Sequence, residues 1–557
     1  MKKRFVMGAL LLACLTAMAQ QPEELSPMRG VKNAFTYTVR QERTPEARAG
    51  FAPNMLVYPD AKLSQEQVAV LLQEMGLKEY ADKYGATMGV VNPVGEKYDN
   101  VADFEAYKAM IDSMRVISNL KIIGIGHGAT FVNQTIANHA EEVAGIVSIN
   151  GKAGKPASSA APVPVFIVGN GSQAVAKAYI QQNHATETSK EAHLVRYQNS
   201  EEPLLSVVVS QAKNQSLKEI MTDAWKSLLS KNYRFNNYKH TFYTGATQGQ
   251  YGAYELEPYV MFNDLKITRN VIQKPLLDTM AGQSNCLWYE YLPESTLHAP
   301  KASVPLVILL HGHGNDPRTQ SETSGFIELA AEENFIVAEL EWQGNGYTAM
   351  GLDGIEQVVY ELMTKYPQID PERIYSEGLS AGAMNSSALG IRKSHVFAAV
   401  GAMSGGLFPE GFYYFGGRAL RNEATQKRGL VETAYIGVFG TDDETIMYPK
   451  SGNWQGNSLI NAWQIYETMN GMEVVNDYNF VTGGIFGQAV NDHETLTLKN
   501  IQVQTGQLYK GSTPLMKLVA VEHYGHWNFK PAARIMWDFF KHYSRDSITK
   551  KLVYHAE

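Results

Sequence analysis

Cysteine is almost absent from this sequence: the 557 residues contain only Cys14 and Cys286. Cys14 belongs to a segment with the features of a secretory signal peptide, in which basic residues at 2–4 precede an apolar run and the small residues Ala17-Met-Ala19. We predict that residues 1–19 are a signal peptide that is removed after Ala19. The mature chain then keeps one cysteine, which excludes an intramolecular disulfide.

The same leader leaves a second interpretation open. Leu11-Leu-Ala-Cys14 resembles a bacterial lipobox, and in that case Cys14 would carry a lipid anchor. Under either interpretation we expect an exported bacterial protein, secreted or periplasmic. The apolar run of the leader is too short to span a bilayer and no later run is long enough, so the sequence predicts no transmembrane segment.

Positive charge is also scarce. The sequence has 49 Lys and Arg residues against 56 Asp and Glu residues, a net charge of −7, and removal of the leader makes the charge still more negative. This balance argues against nucleic acid as a partner. With 44% hydrophobic and 19% charged residues the composition is that of a soluble globular protein, and the length predicts two domains.

The N-terminal half alternates short apolar runs with amphipathic helical patterns. Four of the runs have the length of buried strands: Met55–Tyr58, Ala86–Val91, Leu120–Ile125 and Val163–Val168. Ser64-Gln-Glu-Gln67 has the spacing of a capping box at the start of a helix. Alternating strands and helices predict a parallel sheet with helices on both faces. We predict an α/β domain over residues 50–240, an aromatic-rich connector over 241–284 and a second α/β domain over 285–547.

A serine flanked by glycines is the most informative feature of the second domain. Gly378-Leu-Ser380-Ala-Gly382 follows a predicted strand and precedes a helix rich in small residues. This pattern is typical of a nucleophile elbow, in which a sharp strand-to-helix turn exposes the serine hydroxyl. The flanking glycines are required because a Cβ at either position would collide with the neighbouring strand or helix. Ser380 is therefore the candidate nucleophile.

Carboxylates and histidines follow two later strands in the order that a Ser-Asp-His triad of this kind requires. Asp442 and Asp443 come directly after the apolar run Ala434–Phe439, and His523 and His526 come after Leu515–Val521. A buried carboxylate would orient the histidine, which would in turn accept the proton of the serine. We choose Asp443 and His526, the histidine because Gly525 before it allows a tight turn, but the residue types alone leave both choices open.

Backbone donors and binding residues are predicted at the same edge of the sheet. The strand Pro305–Leu310 runs into His311-Gly312-His313-Gly314, so the amide of Gly312 or His313, together with that of Ala381, would form an oxyanion hole. Trp342 follows the next strand and is predicted to line the acyl pocket. Trp454, in a loop rich in Gly and Asn, is predicted to contact substrate as part of a lid or sugar platform, although it also suits an exposed loop.

Together these motifs resemble the polyhydroxybutyrate depolymerase-like esterases of the α/β-hydrolase superfamily, a group that includes feruloyl and acetylxylan esterases. The resemblance spans roughly residues 285–545. It implies that a Gly-x-x-Asp turn carries the acid and a Gly-His turn the base, which favours Asp443 and His526. Phe439 stands where the family often has a histidine. Since we see no separate binding module and no disulfide framework, we expect a small ester or an acylated polysaccharide rather than a polyester.

The first domain repeats this order of elements without its reactive groups. Gly124-Ile-Gly126-His-Gly128 lies where an elbow belongs, so glycine replaces the nucleophile. The loop at 169–173 offers no carboxylate, and no His-Gly pair follows the first strand. We therefore predict two tandem α/β-hydrolase-like domains, of which the first is catalytically degenerate.

The resulting functional hypothesis is a secreted serine carboxylesterase that needs no cofactor and no metal. Two alternatives stay open: a serine peptidase on the same fold, because the same triad cleaves amides, and a non-catalytic glycan-binding or adaptor protein, to which the first domain is suited. The degenerate domain also leaves a homodimer possible.

Overall fold

The computed structural model describes residues 25–28, 31, 33–38, 54–235, 250–253, 259–276 and 285–556. Inside these ranges, residues 85, 115–119, 141–142, 159, 201–202, 316, 345, 409–416, 444–455, 477, 479–483 and 500 are not described. The predicted signal peptide, the alternative lipid site at Cys14, half of the predicted connector and Trp454 therefore lie outside the described residues. Within them, no helix is long and apolar enough to cross a membrane.

The N-terminal domain is built on a ten-stranded sheet. In chain order its strands are β1 Ser26–Pro27, β2 Ala34–Thr38, β3 Asn54–Tyr58, β4 Thr87–Val91, β5 Leu120–Ile125, β6 Val143–Ile149, β7 Val165–Val168, β8 Glu187–Glu191, β9 Leu194–Gln198 and β10 Ser206–Ser210. Their order in the sheet is β1-β2-β4-β3-β5-β6-β7-β10-β9-β8. The six adjacent strands β4-β3-β5-β6-β7-β10 are parallel to one another. The outer strands, β1 and β2 on one side and β9 and β8 on the other, pair antiparallel.

Helices alternate with the strands of this sheet, as the sequence predicts. They are α1 Gln65–Glu74, α2 Leu77–Tyr84, α3 Ala102–Met114, α4 His127–Gln134, α5 Ser172–Gln182 and α6 Leu217–Ala224. A 3₁₀ turn, Ile136–His139, follows α4, and a π turn, Trp225–Leu229, follows α6. The predicted capping box is confirmed, because the Ser64 side chain accepts from the Gln67 N–H and the Gln67 side chain accepts from the Ser64 N–H. This exchange satisfies two amides that the first turn leaves without helical partners.

A hairpin and a short helix follow in the sequence: β11 Asn232–Phe235, β12 Gln250–Ala253 and α7 Tyr259–Asp264. The C-terminal domain then forms a second ten-stranded sheet. Its strands are β13 Ile267–Lys274, β14 Cys286–Pro293, β15 Val304–Leu310, β16 Ile336–Leu340, β17 Ile369–Leu379, β18 Ala399–Met403, β19 Ala434–Gly440, β20 Asn491–Leu498, β21 Ile501–Lys510 and β22 Thr513–Val521. A small hairpin, β23 Tyr543–Arg545 and β24 Leu552–Tyr554, ends the described chain.

The helices of the second domain also alternate with its strands. They are α8 Glu294–Leu297, α9 Pro317–Ser324, α10 Phe326–Glu333, α11 Leu352–Lys365, α12 Ala381–Arg392, α13 Gly417–Gln426, α14 Ser458–Met469 and α15 Ala532–Phe540. Every residue of β15, β18 and β19 is buried. Inner strands of a parallel sheet are covered on both faces, and this explains why these three read as unbroken apolar runs.

The two sheets have the same topology. The second sheet has the order β13-β14-β16-β15-β17-β18-β19-β22-β21-β20, so each strand matches the strand of the first sheet that holds the same place in chain order. The pattern of parallel and antiparallel pairs is also the same. The predicted fold class, two tandem α/β-hydrolase-like domains with mostly parallel sheets, is confirmed.

Two expectations about strands and boundaries need correction. The prediction that residues 287–293 form an edge strand is wrong, because β13 pairs with β14 along its whole length. β13 lies inside the range that was predicted to be a connector. Most of its residues are at least partly exposed, so its sequence contains no apolar run that would predict a strand. Likewise β1 and β2 add to the first sheet from residues before the predicted start at 50.

Candidate active site

The elbow at Ser380 has the geometry that its glycines suggest. Ser380 joins β17 to α12 with φ 55° and ψ −114°, a strained combination for a residue with a side chain. Its N–H donates to the Met403 carbonyl at 2.9 Å, which ties the turn to the neighbouring strand. A Cβ at Gly382 would lie 1.9 Å from the Leu310 carbonyl oxygen, and one at Gly378 would lie 2.4 Å from the backbone of Gly382. Only glycine fits these positions.

A buried aspartate–histidine pair lies in the loops that follow β19 and β22. His526 Nδ1 lies 2.7 Å from Asp443 Oδ2, and the side chains are 8% and 0% exposed. The two loops touch, because a Cβ at Gly440 would lie 2.0 Å from the Tyr524 carbonyl oxygen. The structure therefore brings together the two residues that the motif comparison favours.

The competing pair lies next to the first and is more exposed. His523 Nδ1 is 3.5 Å from Asp442 Oδ2, with side chains 73% and 23% exposed. The backbone of these residues ties the two loops together: the His523 N–H donates to Thr441 Oγ1 at 2.8 Å, and the Asp442 N–H donates to the Tyr524 carbonyl at 3.0 Å. Their geometry suits a role in holding the loops.

The predicted oxyanion residues line the turn after β15 and the start of α12. A Cβ at Gly312 would lie 3.5 Å from the Leu379 carbonyl oxygen, so Gly312 packs against the residue that precedes Ser380. In the described part of the chain, the N–H groups of Gly312 and Ala381 donate to no protein acceptor. The pKa of His313, whose ring stays partly exposed, is lowered by partial desolvation and by the neighbouring His311.

Trp342 is buried in the protein and does not lie on an accessible pocket surface. Its side chain is 3% exposed, and its indole N–H donates to the His311 carbonyl at 2.8 Å. Contact with substrate remains a prediction for this residue, as it does for Trp454.

Sequence reasoning missed the buried polar groups beneath the turn. His311 is fully buried, with Nε2 3.1 Å from Glu341 Oε1, and the same carboxylate oxygen accepts from the N–H groups of Gln343 and Gly344. Gln343 in turn accepts from the Gly314 N–H at 2.8 Å, and its amide nitrogen lies 2.8 Å from His313 Nδ1. The signal available in the sequence was a glutamate directly after an apolar strand.

A second buried network lies beneath the histidine loop. Gln320 donates to Glu377 at 3.0 Å and accepts from Asn528 at 2.9 Å. Asn528 stands two residues after His526, so this network joins the strand of the elbow to the loop of the histidine. Burial raises the pKa of Glu377 to about 8, although the hydrogen bond from Gln320 works in the other direction.

The equivalent position in the first domain keeps the backbone of an elbow and fills its mouth. Gly126 has φ 56° and ψ −113°, within 1° of the values of Ser380. Asp60 Oδ1 accepts from the His127 N–H at 2.7 Å, and this amide is the counterpart of that of Ala381. A Cβ at Gly126 would lie 1.9 Å from the same oxygen. The hydrogen bond from the His127 N–H is the main cause that lowers the pKa of Asp60.

Comparison with known families locates the similarity in the second domain. The model of the family described as esterase PHB depolymerase matches residues 290–420. That range contains Gly312, Trp342 and Ser380, whereas Asp443 and His526 lie beyond it. No curated protein matches the chain in sequence.

Solved structures with a similar chain course include three esterases. The acetyl xylan esterase from Aspergillus awamori is 15% identical, covering 49% of this chain and 99% of its own, with a TM-score of 0.33. The S-formylglutathione hydrolase from Agrobacterium tumefaciens is 10% identical (49% of this chain, 94% of its own, TM-score 0.33). The feruloyl esterase module from Clostridium thermocellum, complexed with sinapinate, is 12% identical (52% of this chain, 91% of its own, TM-score 0.33).

The assignment rests on the family match and on the sheet topology of this chain. In the described residues no group of three or more His, Cys, Asp or Glu side chains could hold a metal ion. The C-terminal domain is a carboxylic ester hydrolase of the α/β-hydrolase fold, similar over residues 290–420 to the esterase PHB depolymerase family.

Proposed function

We propose that this protein is a secreted serine carboxylesterase that hydrolyses acyl esters of a plant glycan or of a small alcohol through Ser380, His526 and Asp443. The observation that carries the proposal is the buried Asp443–His526 hydrogen bond of 2.7 Å, at the same sheet edge as the Ser380 elbow. The leader-like first 19 residues support export.

The proposed reaction passes through an acyl-enzyme. Asp443 accepts from Nδ1–H of His526, which leaves Nε2 to take the proton of the Ser380 hydroxyl as the oxygen attacks the ester carbonyl. The amides of Ala381 and Gly312 donate to the oxyanion, and such a donor typically contributes about 3 kcal/mol to stabilising the transition state. His526 then returns the proton to the leaving alcohol, and water repeats the sequence to release the acid.

Ester chemistry is proposed because the family model that matches residues 290–420 describes an esterase. The acylated glycan is proposed because the motifs around Ser380, Asp443 and His526 resemble those of feruloyl and acetylxylan esterases. A serine peptidase uses the same three groups, so amide substrates belong in the test.

The test is turnover of acetyl, butyryl and feruloyl esters, with matched amides, by the wild-type protein and by Ser380→Ala. We expect ester hydrolysis by the wild type and a loss of at least about 10³-fold in kcat in the variant. The acyl preference would then define the substrate class. Faster cleavage of the amides would favour the peptidase. If neither protein turned over any substrate and a fluorophosphonate did not label Ser380, a non-catalytic binding role would replace the proposal.

A further inference from the structure

The turn that carries Gly312 is held from below by the loop 341–344. Trp342 donates its indole N–H to the His311 carbonyl at 2.8 Å, Glu341 holds the His311 ring at 3.1 Å, and Gln343 accepts from the Gly314 N–H at 2.8 Å. His311, Glu341 and Trp342 are each no more than 3% exposed. Buried polar groups that are all paired hold one conformation firmly, because breaking any bond leaves a group without a partner.

The direction of the His311 carbonyl decides where the next amide points. This oxygen faces the protein interior, between the buried indole of Trp342 and Gly382, at which a Cβ would lie 2.7 Å from it. In a planar trans peptide unit the C=O and the following N–H point in opposite directions. The N–H of Gly312 therefore points away from the interior, and among the described residues it meets no protein acceptor.

The first domain serves as an internal comparison. Counting from the two elbows, Pro59 stands at the position of His311 and Asp60 at that of Gly312, since Gly128 and Gly382 face the carbonyls of Tyr58 and Leu310 in the same way. Counting along the matched strands, Asn92 and Pro93 stand at the positions of Glu341 and Trp342. The domain without a nucleophile keeps the direction of this carbonyl, since a Cβ at Gly128 would lie 2.6 Å from the Pro59 oxygen, but it lacks the histidine, the glutamate and the indole. The fold itself therefore gives the peptide its direction, and the three buried polar groups, which the fold does not need, fix it there.

We propose that Trp342 is a positioning residue for catalysis, which holds the His311–Gly312 peptide in this direction so that the Gly312 N–H, rather than that of His313, is the second oxyanion donor. This inference rests on the proposed function. It replaces the expectation that Trp342 acts by lining the acyl pocket, and the two roles differ in what they change. A donor that acts on the transition state affects kcat, whereas a pocket wall affects KM and acyl preference.

The test compares Trp342→Phe with Trp537→Phe, using p-nitrophenyl acetate as substrate. Both variants keep an aromatic ring and lose one indole hydrogen bond. That of Trp537, on the helix α15, is partly buried and is donated to Glu333 at 3.0 Å. For Trp342→Phe we expect kcat to fall about 10- to 100-fold with KM within about twofold, part of the loss seen when an oxyanion donor is deleted. Trp537→Phe should keep the wild-type kcat.

A transition-state analogue gives the readout that a merely structural role would not move. Phenylboronic acid forms a tetrahedral adduct on a reactive serine, so its inhibition constant should rise for Trp342→Phe by about the factor by which kcat falls. If Trp342→Phe does not fold, Gln343→Ala replaces it in the test. This variant loses the hydrogen bond from the Gly314 N–H, and we expect kcat to fall about threefold to tenfold, which corresponds to the loss of one hydrogen bond.

The failures are distinguishable. No turnover by the wild type, or full turnover by Ser380→Ala, would overturn the proposed function and the inference together. If the wild type turns over and Ser380→Ala does not, a Trp342→Phe protein with wild-type kcat and raised KM would overturn the inference alone. So would a loss of kcat with an unchanged inhibition constant for phenylboronic acid.

Discussion

Asp442 and Asp443 are neighbours in the chain, and the difference between them is burial. The carboxylate of Asp443 is 0% exposed and lies 2.7 Å from His526, whereas Asp442 is 23% exposed and lies 3.5 Å from an exposed His523. A hydrogen bond to a charged group is stronger where water is excluded, and only a buried carboxylate holds an imidazole in one tautomer.

We therefore expect Asp443→Asn to lower kcat for a small ester by about 10⁴-fold, the effect of a wrong histidine tautomer. The matched variant Asp442→Asn removes a carboxylate one residue away and should change kcat by less than about threefold, since an exposed pair contributes little. Steady-state hydrolysis of p-nitrophenyl acetate measures both. Equal losses of kcat in the two variants, or a larger loss for Asp442→Asn, would show that Asp443 is not the acid of the triad.

At this scale the sequence predicts the groups that are spaced along the chain in a known order. Ser380, Asp443 and His526 each follow an apolar strand, and strand ends meet at one edge of a parallel sheet. His311 and Glu341 also follow apolar strands directly, but their contact was not predicted, because the residues stand thirty positions apart and the histidine was counted only as part of a glycine motif. Pairing of that kind depends on which strands are neighbours, which the chain order alone does not give.

Strand β17 carries a titratable group beside the elbow. Glu377 is 1% exposed, and its pKa is raised from 4.5 to about 8 by burial. Between those two values the unfolded chain is ionised there while the folded protein keeps the proton, so the unfolded state binds fewer protons. Stability from this group is therefore fully present below pH 4.5 and is lost as the pH rises to about 8.

Glu377→Gln replaces the titratable carboxyl group with an amide of the same shape. We therefore expect the free energy of unfolding of the variant, relative to that of the wild type, to increase from pH 5.5 to pH 8.5. The increase can reach a few kcal/mol, because one pKa unit corresponds to about 1.4 kcal/mol. Thermal unfolding at the two pH values measures it. Glu332→Gln, at a side chain that is 68% exposed, controls for the loss of one carboxylate. A difference from the wild type that does not vary with pH would contradict the shift.

Elements were predictable where burial gives a simple pattern. The inner strands β15 and β19 are continuous apolar runs and were found from the sequence with the right ends to within about a residue. The outer strands β13 and β20 mix exposed polar and apolar residues, so neither a run nor a clean alternation marks them. Their pairing is set by the neighbouring strand, and the sequence reading placed the first of them in a connector.

In the described residues one sheet topology occurs twice, and the elbow position carries a serine in the second copy and a glycine in the first. The chain order of strands and helices was enough to predict this, since the motif Gly124–Gly128 occupies the elbow position. The sequence did not indicate which group accepts from the His127 N–H, the counterpart of the Ala381 oxyanion donor in the first domain. Asp60, from the counterpart of the oxyanion turn, accepts from this N–H at 2.7 Å, so the amide is not available to a substrate oxygen.

This arrangement predicts that the first domain cannot be made reactive by restoring its serine. Gly126→Ser would place a Cβ 1.9 Å from Asp60 Oδ1, so the loop would have to move, and the His127 amide would still be occupied. The loop 211–216, the counterpart of the histidine loop, contains no histidine to take the proton. We expect no fluorophosphonate labelling of the Ser380→Ala protein when Gly126→Ser is added, nor when Asp60→Gly is added as well to clear the space. Mass spectrometry of the labelled peptides would decide: a label at position 126 would mean that the first domain supplies a base from elsewhere and that its degeneracy is limited to one residue.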